Sequence, residues 1–275
     1  MQFEFPWALG PADGRYVVRE AAGAPATHVL VLTTLGAVER RRLGPRRGRA
    51  VAPEPPPTPV ATGRATVVDA EPVSVAEAER WLAAAGAAEA EQALAQLARA
   101  VRAHRLASGD PSVHEPALAQ ALVVRAGHGA GEQVAHGRWS AARELPPPRS
   151  GRRRRVAGLR PHERVAALLG GHARTLACEE LTLRARQDLD GGHLEEAALQ
   201  LRAALDAALV ELAPAASRSP QLARRVAELA ERRPAVAALA DAVLAEAGTD
   251  ATDETLATTL QRLEAALRAR ITEPI

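Results

Sequence analysis

The chain contains no lysine, a single cysteine, and only two phenylalanines, one tyrosine and three tryptophans in 275 residues. Each scarcity excludes chemistry. Without lysine there is no Schiff base, so pyridoxal-phosphate and lysine-aldolase reactions are ruled out. The P-loop lysine and the kinase strand lysine are absent too, which removes the standard nucleotide hydrolases and kinases. One cysteine, Cys178, permits no internal disulfide framework and no four-cysteine zinc or iron–sulfur site within this chain. Neither a Gly-x-Ser-x-Gly elbow nor a His-Glu-x-x-His pair occurs. The segment Met1-Gln2-Phe3-Glu4-Phe5-Pro6-Trp7 has no basic or apolar leader character. The longest apolar run, Val29 to Leu35, is far too short to span a bilayer. The expectation is a soluble, cytoplasmic protein without a membrane segment.

What is present divides by position. The aromatics Phe3, Phe5, Trp7 and Tyr16 cluster at the start, and only Trp81 and Trp139 follow. An aromatic core is therefore open to the N-terminal part, whereas later helices must pack with Leu, Val and Ala. Arg15-Tyr16-Val17-Val18-Arg19, His28-Val29-Leu30-Val31-Leu32 and Ala65-Thr66-Val67-Val68 are short, β-branched runs bounded by turn residues, and they predict three strands. Ser74-Val75-Ala76-Glu77 is a capping box that opens a helix. Helices are predicted over 75–85, 88–107, 115–126, 163–189 and 193–212. A further helix starts at Ser219-Pro220, another at Pro234 runs to Gly248, and the last covers 253–270. In 193–212, Leu194, Ala198, Leu201, Leu205, Ala208 and Leu212 recur at helical spacing.

These elements predict an α+β, predominantly helical fold: a small antiparallel N-terminal sheet followed by an Ala/Leu-rich multi-helix bundle. The organisation reads as a β-rich region over 1–72, interrupted by a basic Pro-rich loop at 39–63. A helical region at 73–126 follows, then a Gly/Pro/Arg-rich linker at 127–158 and a helical bundle at 159–275. Thirty-five basic residues nearly balance thirty-three acidic ones, so any basic surface must be local. The arginine runs supply two candidates: Arg40, Arg41 and Arg42 in the first loop, and Arg152, Arg153, Arg154 and Arg155 in the second. Either could meet nucleic-acid phosphates, or simply be solvated linker.

The stretch Asp188-Leu189-Asp190-Gly191-Gly192-His193-Leu194-Glu195-Glu196 joins two helices as an antiparallel hairpin. It resembles the helix–Gly–helix units of tetratricopeptide repeats, and it also resembles the helical hairpins of the HEPN superfamily. The first resemblance implies a protein-binding unit. The second implies a ribonuclease pair, Arg186 and His193, which fit that superfamily's Arg-x(4–6)-His spacing although a glycine turn lies between them. Gly127-x-Gly129-x-Gly131 could cradle a phosphate or be a plain loop. The eight histidines show no metal-ligand spacing, and Cys178 reads as a small buried hydrophobe. No cofactor or metal is expected. The leading functional expectation is a non-catalytic interaction or scaffold module with a protein partner. The alternatives are a nucleic-acid-associated protein that uses its arginine runs, and a HEPN-like ribonuclease.

Overall fold

The computed structural model describes residues 1–36, 60–146, 161–245 and 253–272, and the chain divides into two units, Met1–Ser150 and Gly151–Ile275. The predicted α+β class holds: an antiparallel sheet lies toward the N-terminus, and helices dominate the rest.

The first unit is built on six strands rather than three: β1 (Gln2–Phe5), β2 (Gly14–Val18), β3 (His28–Leu35), β4 (Thr62–Asp69), β5 (Val123–His128) and β6 (Ala141–Glu144). Their order is β2-β3-β4-β1-β5-β6, all neighbours antiparallel. β1 is central although only four residues long. Its period-two pattern sends Phe3 and Phe5 to one face and Gln2 and Glu4 to the other. On the first face Phe3, Leu30, Leu32, Ala65, Val67 and Val124 form an apolar layer. Helix α2 (Ala87–Ser108) covers it with Ala90, Leu94, Leu97 and Val101, which share one helical stripe. Helix α1 (Val75–Ala84) begins with the predicted capping box: Glu77 N donates to Ser74 Oγ, and Ser74 N donates to the Glu77 carboxylate at 2.9 Å. At its other end the Arg143 guanidinium of β6 donates to the carbonyls of Leu82, at 2.7 Å, and of Ala85.

Two sequence expectations fail here for one reason. The helix expected over 115–126 is a single 3-10 turn, Leu118–Gln120, followed by β5, and the linker expected from 127 is strand, a short 3-10 helix (Glu132–His136) and turn as far as Pro146. Ala117, Leu118 and Ala121 favour a helix locally, but β1 offers an open edge. Leu122 N donates to Glu4 O at 2.8 Å, and Val123 and Val124 pair onward in register. A long-range ladder outcompetes weak local propensity. The expected loop at 39–63 falls largely outside the described residues, and its last two positions, Thr62 and Gly63, already belong to β4.

The second unit contains α3 (Pro161–Leu169), α4 (Ala177–Asp190), α5 (Leu194–Glu211), the single turn α6 (Ala213–Ala216), α7 (Pro220–Leu244) and α8 (Asp253–Thr272). Its core joins Leu201, Leu205 and Leu212 of α5 and the turn after it to Leu222 and Leu229 of α7 and Leu256, Leu260 and Leu263 of α8. Burying one leucine side chain contributes roughly 1.5–3 kcal/mol, so this row outweighs any surface pair in the unit. Alanines at 197, 198, 204 and 208 let neighbouring helices approach α5 closely.

The helix expected over 163–189 breaks at Gly170-Gly171. Gly171 takes φ +72, Gly171 N donates to Leu168 O, and His172 N donates to Ala167 O at 2.8 Å, the two bonds of a Schellman stop. Pro234 begins nothing, because it sits inside α7, which runs unbroken beneath Leu229, Val236 and Ala240. Its missing N–H costs one bond to Ala230 O, and both Ala230 and Pro234 are exposed residues. Gly248, the expected stop, lies outside the described residues. No helix among the described residues is long and apolar enough to cross a membrane.

Candidate functional site

The α4–α5 hairpin carries the residues singled out for catalysis. Its turn repeats the Schellman pattern: Gly192 takes φ +75, Gly192 N donates to Leu189 O at 3.0 Å, and His193 N donates to Asp188 O at 2.8 Å. His193 is then the N-cap of α5, and its ring lies against Gly191. The Arg-to-His spacing is thus the length of one helix stop and restart. Arg186 is turned to α8: its Nε donates to Glu264 at 2.8 Å, and its Nη1 reaches Asp190 at 3.5 Å. Burial works against the Arg186 charge, but Glu264 and Asp190 together hold it more firmly protonated than usual. A guanidinium clasped by two carboxylates is spoken for.

A denser cluster lies where α3, α4, α5 and α8 meet. The Glu179 carboxylate accepts from Arg164 at 2.8 Å, Arg270 at 3.0 Å and Leu176 N at 2.9 Å. Beside it Glu211, from the end of α5, accepts from Ala177 N at 3.1 Å and Cys178 N at 2.9 Å, so one helix supplies the N-terminal cap of another. Burial works to raise Glu211, yet the bonds from Cys178 and Ala177 and the nearby Arg270 hold it below its ordinary range. Burial, and after it the Glu211 carboxylate, push the Cys178 thiol up to about 12. A thiol held protonated is a poor nucleophile. Cys178 is fully buried, the packing role expected for it.

In the first unit Gly127 and Gly129 of the Gly127-x-Gly129-x-Gly131 run are packed against protein, whereas Gly131, at φ +71, has open space beside it. A Cβ at Gly127 would lie 2.3 Å from Trp139 Cε3, and one at Gly129 would lie 3.1 Å from Ser140 N. The Trp139 indole lies on Gly127 and donates through Nε1 to Val134 O at 3.1 Å. Gly127 and Gly129 make room for Trp139 and the chain beside it.

Sequence reasoning missed the polar face of the sheet. There the Glu4 carboxylate accepts from Arg64 at 2.7 Å and from Arg125 at 3.2 Å, while Gln2 Nε2 donates to Thr66 Oγ1 at 3.1 Å. The available signal was alternation: Gln2 and Glu4 flank Phe3, and Arg64 and Arg125 stand inside strand-forming runs. A cleft of about 210 Å³ opens nearby, lined in part by Gly10, Asp13, Thr34 and Arg64. Its Asp13 carboxylate is already bonded by Thr34 N and Thr34 Oγ1, both at 2.8 Å. Arg40, Arg41, Arg42, Arg152, Arg153, Arg154 and Arg155 lie outside the described residues. Among the described residues no group of three His, Cys, Asp or Glu side chains could hold a metal ion. Comparison of the chain with protein-family models, curated proteins and solved structures finds no match.

Proposed function

We propose that the chain is a non-catalytic interaction module whose helical unit binds a protein partner through α3. The observation that carries this reading is the state of α3 itself. The helix buries none of its residues, yet it holds Val165 at 52% and Leu169 at 85% exposure. Arg164 ties it to the bundle through Glu179, and Leu168 is half-buried. An amphipathic helix stays folded in a stable chain by covering its apolar stripe, and a contiguous exposed apolar patch marks a surface for association. The occupation of Arg186 by Glu264 and Asp190 also supports a non-catalytic role. A single buried thiol suits a reducing compartment, which supports a cytoplasmic location for the module.

The test is affinity capture from native lysate treated with nuclease, using full-length protein and the variant Val165→Asp/Leu169→Asp. The wild type is expected to retain a defined protein partner, and the variant to lose at least ten-fold of it with unchanged circular dichroism. Equal retention by both proteins would refute α3 as the docking element.

A further inference from the structure

The arginines of the helical unit divide into two groups. Arg164, Arg184, Arg186, Arg202, Arg233, Arg262, Arg268 and Arg270 each hold a carboxylate at 4 Å or closer. Arg224, Arg225 and Arg232 of α7 hold none among the described residues, and neither does Arg218 just before it, which donates to the carbonyl of Pro214 at 2.8 Å. Among the described residues of the unit, apart from Arg174, the arginines lacking a carboxylate therefore gather on one stretch of chain. Between 218 and 233 five arginines stand against two glutamates. Glu228 is taken by Arg262 at 3.2 Å, which leaves Glu231 beside the row. Arg225 is half-buried, and its Nε is shut from solvent with no acceptor.

We propose that Arg224, Arg225 and Arg232, with Arg218 at the end of the row, bind the phosphate backbone of duplex nucleic acid without regard to sequence. Geometry favours that ligand. Arg225 and Arg232 are seven residues apart and share one side of the helix, roughly 10.5 Å along its axis. That stride is about three steps of a strand rising 3.4 Å per nucleotide. Arg224 widens the row by one helical position. The start of α7 also adds the positive end of its dipole. Residues 161–275 contain no Phe, Tyr or Trp, so nothing there can stack on unpaired bases. Charge alone is left, and a duplex presents the denser charge, one per roughly 1.7 Å. This surface is separate from the apolar face of α3 and stands or falls independently of it.

The experiment is fluorescence anisotropy of full-length protein on a labelled random-sequence DNA duplex across a salt series. Each phosphate contact contributes about 0.9 to the slope of log K against log salt. Arg224→Gln/Arg225→Gln/Arg232→Gln is expected to flatten that slope by about 2–3. The triple Lys variant should keep it, and Arg184→Gln should leave it unchanged. Arg224 is exposed, so Arg224→Gln alone gives a fold-neutral check, with an expected loss of about 0.9. A wild-type slope in the glutamine variants would assign the binding to other arginines and overturn the proposal, as would wild-type protein that fails to bind the duplex at low salt.

Discussion

At the scale of single residues, close approach and burial decide most outcomes. Gly127 is the sharpest case, because any side chain there collides with the Trp139 ring. Gly127→Ala is expected to cost about 1–3 kcal/mol as an overpacking change and to alter Trp139 fluorescence, both readable in a denaturant titration. A neutral substitution would mean that the ring does not rest there. Cys178 makes a second prediction. Its thiol stands near 12 in the fold against an ordinary 9.0, so the folded protein keeps a proton that the unfolded chain releases in that interval. The stability it contributes is complete below about pH 9 and is lost as pH rises toward 12. Native protein should resist a thiol reagent that labels the denatured chain at once, and immediate native labelling would contradict the burial. The packing role of Cys178 was legible because Ala177, Glu179 and Glu180 surround it in a helix. The occupation of Arg186 was not, because Glu264 lies 78 residues away and only tertiary folding brings it near.

At the scale of elements, local punctuation was readable and long-range pairing was not. The Ser74 capping box, the Ser219-Pro220 start and the glycine turn before His193 each act within a few residues, and each stands where its chemistry predicts. β1 and β5 escaped because neither specifies a strand alone. Gln2–Phe5 needs edges on both sides, and Val123–His128 needs β1. Two substitutions probe the helical elements. Leu201 is 1% exposed at the centre of α5, so Leu201→Ala should cost about 2–5 kcal/mol. A change under one kcal/mol would show that the bundle closes without it. Glu211→Gln should cost about 1 kcal/mol at neutral pH by weakening the cap on α4. Since Glu211 is held below its ordinary range, that contribution is present above the range and is lost as pH falls through the folded value. Wild type and variant should therefore converge in acid, and a gap that persists there would assign the effect to packing.

At the scale of the whole molecule, the chain is two separately built cores. The first joins Phe3, Phe5 and the strand residues to α2, and the second joins α4, α5, α7 and α8, with no member shared. The aromatic-poor stretch after Trp139 made this division partly legible, since the helical core had to be leucine and alanine. The boundary was misplaced because β5 and β6 look like linker in composition. Fragments 1–150 and 151–275 should each melt cooperatively when expressed alone, and a fragment without a transition would mean that the cores depend on each other. The helical core contains no residue of α3, and the proposal is that the apolar side of α3 serves a partner. The most direct measurement is amide hydrogen exchange across Pro161–Leu169, with and without the captured partner. Fast exchange is expected in the free protein and strong protection in the complex, with the amides of α5 slow in both. Exchange in α3 that is already slow in the free protein, or is unchanged by the partner, would contradict the proposal.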